Sequence, residues 1–109
     1  MKLLTKVEEM ILLSIWRLQD NAYGVTICEE IEKATGRGWN IGAIYAPLAR
    51  LEKNGFVRTK KGEPVAERGG RSKVFYTLTA LGKNALRKSH EVNEAIWSEL
   101  PPFISEEKA

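Results

Sequence analysis

Apolar residues crowd the first segment of the chain on more than one helical stripe: Val7, Met10, Ile11, Leu12, Leu13, Ile15, Trp16 and Leu18. A helix with that pattern is buried on several sides. Thr5-Lys6-Val7-Glu8 supplies its start, because a threonine and a glutamate three residues apart can each accept from the other's backbone N–H. Asp20 to Gly24 reads as a turn. Ile27, Cys28, Ile31 and Ala34 then recur at helical spacing opposite Glu29, Glu30, Glu32 and Lys33, and Gly36 stands where this second helix should stop. Asn40 is a good N-cap for a third helix running to Asn54, with Gly55 just past its end. Its buried face is read as Ile41, Ile44, Leu48 and Leu51. Pro47 would cost that helix an interior hydrogen bond, so an irregular first turn or a later start is expected.

Beyond Gly55 the pattern changes to that of strands. Phe56–Lys60 and Val74–Leu78 are short and rich in β-branched and aromatic residues, and the polar stretch between them holds Gly62, Pro64, Gly69 and Gly70. Together they predict a β-hairpin with a long loop. Thr79 then caps a last helix whose Leu81, Ala85, Val92, Ile96 and Leu100 form one apolar stripe before Pro101-Pro102. At about 20 residues this helix would be roughly 30 Å long. A chain of 109 residues has little core left to cover such a stripe, so a second copy of the chain is the expected partner. The crowded first helix is expected at the same boundary through Ile11 and Ile15. The predicted fold class is mainly α with a small β-hairpin wing. Residues 1–78 form a winged helix-turn-helix, and residues 79–109 a long C-terminal dimerisation helix and short tail.

Charge sharpens this picture. The net charge is only +3, but Arg37, Arg50, Lys53, Arg58, Lys60, Lys61, Arg68, Arg71 and Lys73 fall in the middle third, against Glu52, Glu63 and Glu67. Acidic residues outnumber basic ones on both flanks. A basic centre between acidic flanks is the footprint of a polyanion-binding surface, though a solvated basic loop leaves the same mark. The single cysteine, Cys28, excludes an internal disulfide and suits a reducing cytosol. It sits in an apolar stripe and is read as core. Met10–Trp16 is too short to span a bilayer and no secretory signal is evident, so a cytoplasmic protein is expected.

The third helix fits the physics of DNA reading, since an α-helix enters the major groove and meets base edges with its first residues. On its outward side Gly42, Ala43 and Ala46 are small enough to allow close approach, and Arg50 and Lys53 follow with charge. Tyr45 on the flank either donates to a phosphate or closes the edge of the core. The loop from Glu67 to Lys73 carries three cations and two glycines at the tip of the wing. Contacts of that kind hold the backbone and make binding salt-sensitive. The candidate DNA-contacting residues are therefore Asn40, Gly42, Ala43, Tyr45, Ala46, Arg50 and Lys53, with Arg68, Gly70, Arg71 and Lys73 in the wing.

Tyr23-Gly24, the run Ile44–Gly55 and the run Gly70–Gly82 together resemble the PadR family of bacterial transcriptional regulators, in order and spacing, from about Leu4 to about Leu100. The resemblance implies a homodimeric repressor whose C-terminal helix pairs with its partner, of the short subfamily with one such helix. It also implies a response to small aromatic or lipophilic compounds. Ala43 stands where many members carry a hydroxyl residue, and Pro47 lies one place later than the family's usual proline. Leu86, His90, Asn93 and Trp97 form a second stripe on the last helix. With Trp16, the residues His90, Asn93 and Trp97 are a candidate effector pocket, the plainer alternative being that Trp97 packs in the dimer seam.

An enzyme is not expected. One histidine, one cysteine, no phosphate-binding glycine loop opening a helix and no metal-ligand spacing leave no catalytic residues, no metal site and no cofactor to assign. The other reading is a winged-helix protein-protein interaction module that does not bind DNA. The basic centre, without a large outward apolar patch, favours DNA.

Overall fold

The computed structural model describes residues 2–64 and 72–103, apart from the side chains of residues 63, 64 and 72. Its elements are α1 (Lys6–Leu18), α2 (Gly24–Thr35), α3 (Tyr45–Lys53), β1 (Val57–Pro64), β2 (Ser72–Leu78) and α4 (Ala80–Trp97). Short 3-10 turns at Gln19–Asn21 and Ile41–Ile44 precede α2 and α3. The order is that of a winged helix with one appended helix.

α1 begins as its sequence dictates. The Glu8 backbone N–H donates to the Thr5 hydroxyl at 3.1 Å, and the Thr5 N–H donates to the Glu8 carboxylate at 2.8 Å. Every other major element but β1 packs heavily on this helix, from α2 and α3 to β2 and α4. Its Ile11, Leu12 and Ile15 are buried together with Ile27 and Ile31 of α2, Ile44, Leu48 and Leu51 around α3, Val57 and Leu78 of the hairpin, and Leu86 of α4. Each such side chain contributes about 1.5–3 kcal/mol by leaving water. The expectation that Ile11 and Ile15 lie at a subunit boundary is corrected by this packing. They are 0% and 1% exposed within their own chain, so they offer a partner nothing. The outward apolar residues of α1 are Leu13 and Trp16.

α2 ends where expected, with Gly36 at φ 71° accepting the left-handed turn. Ala34 lies exposed, outside the buried stripe of Ile27, Cys28 and Ile31. The hairpin is antiparallel, with Val57 opposite Leu78 and Thr59 opposite Tyr76, and its register breaks between Lys61 and Pro64. It is anchored to the helices at both ends of its base. The Tyr76 N–H donates to the Ala22 carbonyl at 2.8 Å, and the Thr79 N–H to the Phe56 carbonyl at 3.1 Å. Gly82 allows the start of α4 to lie against the Phe56 backbone, where a Cβ would collide with the Phe56 carbonyl oxygen.

α4 runs antiparallel to α1. Lys83 lies over the Trp16 ring at 5.6 Å, and further along the Ser89 hydroxyl donates to the Glu9 carboxylate at 3.2 Å. Its last two turns extend past α1, which helps stretch the molecule to 59 Å in one direction against 31 and 21 Å in the others. The helix stops at Trp97, and Glu99 takes φ 58°, earlier than the proline pair suggested. Pro101 and Pro102 lack the N–H groups that would bond to the Trp97 and Ser98 carbonyls, so the last turn fails one turn upstream. No helix among the described residues is long and apolar enough to cross a membrane.

Leu48 ties α3 to α1 and α2 from the centre of the core. Leu48→Ala should lower the unfolding free energy by about 2–5 kcal/mol, read from the urea midpoint at constant slope.

Candidate nucleic-acid interface

The segment before α3 is held by α2. The Trp39 N–H donates to the Glu32 carboxylate at 2.8 Å, and the Cys28 thiol donates to the Trp39 carbonyl at 3.5 Å. Asn40 caps the 3-10 turn through a 2.9 Å bond from the Gly42 N–H. α3 proper begins at Tyr45, so Pro47 occupies the first turn, where its missing N–H leaves no intrahelical bond unmade. The later start anticipated from Pro47 is what the chain adopts. Its cost falls on Ile41, which is displaced to the margin of the core and partly exposed. The far end closes as a Schellman motif. The Phe56 N–H donates to the Leu51 carbonyl and the Gly55 N–H to the Glu52 carbonyl, with Gly55 at φ 80°.

This frame buries Ile44, Pro47, Leu48 and Leu51 and turns Gly42, Ala43, Ala46, Ala49 and Lys53 to solvent. The exposed ridge is small-sided along most of its length, then basic. Ala49 belongs to this ridge and is absent from the residues singled out by sequence. The helical period places it outward, opposite Ile44 and two turns after Gly42, so the spacing of the residues could have found it.

Arg50 departs from expectation. It stands on the flank of α3, with its Nε donating to the Glu8 carboxylate at 3.5 Å, so the charge faces the start of α1. Tyr45 closes the edge between α2 and α3 and remains half exposed. A Cβ on Gly24 would lie 2.5 Å from its hydroxyl, and the glycine that opens α2 leaves room for that ring. Burial, with Tyr45 and Glu52 nearby, pushes the Tyr76 hydroxyl pKa up.

The root of the wing is built from aromatic contacts. Tyr23 meets Phe75 edge-on at 5.5 Å between centroids, and Lys73 lies over the Tyr23 ring at 4.3 Å. Lys73 thus anchors the wing to the start of α2. Arg58, Lys60 and Lys61 of β1 are exposed beside it. Sequence reading missed Tyr23 and Phe75 as wing anchors, since their meeting depends on a turn and a strand some fifty residues apart. Arg68, Gly70 and Arg71 lie outside the described residues.

The candidate effector residues do not converge within one chain. Trp16 sits beside Lys83, while Trp97 is fourteen residues further along α4, about 21 Å away, and contacts Phe103 at 6.2 Å. His90 and Asn93 are exposed between them. A small cavity of about 250 Å³ lies beside Trp16, Thr77 and Lys83, and another lies away from these residues. It measures about 490 Å³ and lies between the N-terminal segment, α3 and α4, lined by Leu3, Leu4, Phe56, Leu81 and Ala85 with Arg50 and Lys88 at its polar edge.

Three helices, a hairpin tied to their flank and an outward ridge of small residues define a winged helix-turn-helix of the kind that reads DNA. Residues 12–88 match the transcriptional regulator PadR-like family, more than half of the chain, and the protein belongs to it. The fold is similar to that of a transcriptional regulator from Clostridium thermocellum, 26% identical, covering 83% of this chain and 82% of that one, with a TM-score of 0.70. RosR of H. salinarum is 26% identical over 90% of this chain and 81% of its own, with a TM-score of 0.65. A PadR family transcription regulator from Clostridium difficile R20291 shares the fold at 23% identity, covering 84% and 91%, with a TM-score of 0.68. No curated protein gives a significant match to the sequence. The family is one of transcriptional regulators.

Cys28 is buried, and that burial, reinforced by Glu32 and then Glu29, raises its pKa. The thiol therefore stays protonated at neutral pH. Its reaction with a disulfide reagent should be much slower in the native protein than in urea at the same pH, and equal rates would contradict the burial described.

Proposed function

We propose that the protein is a sequence-specific DNA-binding repressor that acts in the cytoplasm as a homodimer on a roughly palindromic operator. The observation that carries this reading is the exposed ridge of α3, where Gly42, Ala43, Ala46 and Ala49 let the helix approach base edges closely and Lys53 meets the backbone. Asn40 fixes the turn that presents the ridge, and Tyr45 keeps the helix in place against α2. The wing supplies phosphate contacts through Arg58, Lys60 and Lys61, and through Arg68 and Arg71 around Gly70. In this reading residues 1–78 bind DNA and residues 79–109 join the two copies. Half-sites would lie about 34 Å apart or a small multiple of that.

Arg50 has a different part in this scheme from a direct base contact. It pairs with Glu8 at 3.5 Å on the exposed flank between α3 and α1, a weak surface tie beside the buried Leu48 and Leu51 that hold the ridge in place. A small aromatic or lipophilic effector would release the operator by binding where exposed aromatic residues of the two copies meet, and Trp16 and Trp97 are the residues on offer.

Fluorescence-anisotropy titration against DNA from upstream of the protein's own gene, with a scrambled duplex as control, tests the proposal. Binding should be selective for the first DNA and should weaken steeply with salt. Lys53→Ala should weaken binding and reduce the magnitude of the log K against log salt slope by about 1. Equal binding to both duplexes would remove sequence selectivity from the proposal. No binding at low salt would favour the interaction-module reading.

A further inference from the structure

The polar groups that surround the exposed ridge of α3 are turned away from it. The Asn40 side-chain oxygen accepts from the Gly42 N–H at 2.9 Å, and the Asn40 carbonyl accepts from the Ala43 N–H at 2.8 Å. The cap thus consumes two backbone donors at the entry to the helix, and Pro47 has no N–H to offer. Arg50 directs its Nε to Glu8, and Glu52 accepts from the Thr59 hydroxyl of β1 at 3.1 Å. The Tyr45 hydroxyl lies against Gly24 at the start of α2. What remains on the outward line of the helix is Gly42, Ala43, Ala46 and Ala49, all exposed, with Lys53 one turn further on. From Ala43 to Ala49 the chain rises about 10 Å, enough to face about three base pairs.

Resting on the DNA-binding reading above, we infer that this ridge reads the C5-methyl groups of thymine in the major groove, so that the operator carries A·T pairs beneath it. The donor and acceptor code of the groove is legible only to polar groups. Guanine presents two acceptors, cytosine a donor, and adenine one of each. Alanine and glycine side chains have nothing to pair with them. A guanine or cytosine edge pressed against alanine methyls would lose its water and gain no partner. Thymine is the base whose groove edge offers an apolar group, and a Cβ methyl matches it. Alanine has no rotamers to freeze, so the contact costs no side-chain entropy. Affinity and selectivity then come from different residues. Lys53 and the wing hold phosphates without base preference, and the alanine ridge supplies base preference with little salt dependence.

Selection from a randomised duplex pool by the full-length chain, followed by replacement of single thymines in the selected site with deoxyuracil, tests this. Uracil pairs as thymine does and lacks only the methyl group. About one to three thymines in each half-site should each weaken binding about fourfold when replaced, with the salt slope unchanged. In Ala46→Gly or Ala49→Gly, the thymine beneath the missing methyl should become indifferent to replacement. Comparing two DNAs on one variant cancels whatever the glycine costs the helix. Arg50→Ala should select the same sequence as the parent chain. A selected site that binds equally well with every thymine replaced would overturn the inference. Selected guanines whose preference disappears in Arg50→Ala would assign the reading to that arginine and overturn it equally. Enrichment of no sequence at all would remove the sequence-specific reading itself, and the inference with it.

Discussion

The fold depends on the burial of a single helix. α1 offers the rest of the chain apolar surface in several directions, and α2, α3, β2 and α4 each find their place against it. Ile11, Leu12 and Ile15 leave water completely, so a change at any of them would loosen several contacts at once. This explains how a short chain carries a rigid reading surface. The ridge of α3 is presented by Leu48 and Leu51 beneath it, by the Schellman closure behind it and by the Arg50–Glu8 pair at its flank. No part of that support comes from the exposed residues of the ridge itself.

The wing and the helix–turn–helix are mechanically one unit. β2 bonds to the turn before α2 through Tyr76 and Ala22, and Lys73, Tyr23 and Phe75 stack at the same corner. Small motions of the wing base would therefore be felt at the start of α2 and, through Gly24 and Tyr45, at the start of α3. The appended helix has a double character. Its first half belongs to the core through Gly82 and Leu86, and its second half is largely exposed among the described residues.

Much of this was legible in the residues alone, because it depends on local physics. The Thr5–Glu8 cap, the stop at Gly36, the irregular entry to α3 forced by Pro47 and the cap at Thr79 each rest on interactions within a few residues. The two strands likewise followed from their short runs of β-branched and aromatic residues. The order of elements followed, and with it the fold class and the family. The small outward face of α3 was mostly readable, since one buried stripe determines where its opposite must be.

The remainder depended on contacts that no local pattern records. Periodicity shows that Ile11 and Ile15 are apolar and buried, but not whether their cover comes from the same chain. Only packing shows that α2, α3 and α4 consume that surface and leave Leu13 and Trp16 outside. The partner of Arg50 lies forty-two residues away at Glu8, and the ring under Lys73 lies fifty residues away at Tyr23. Both cations read as free from sequence because charge is visible in a list of residues and its neutralising neighbour is not. Local patterning was enough to say which segments form which elements and which of their faces are apolar. Which of those faces and charges remain available to another molecule is a property of the folded chain, because it rests on contacts between residues far apart in the sequence.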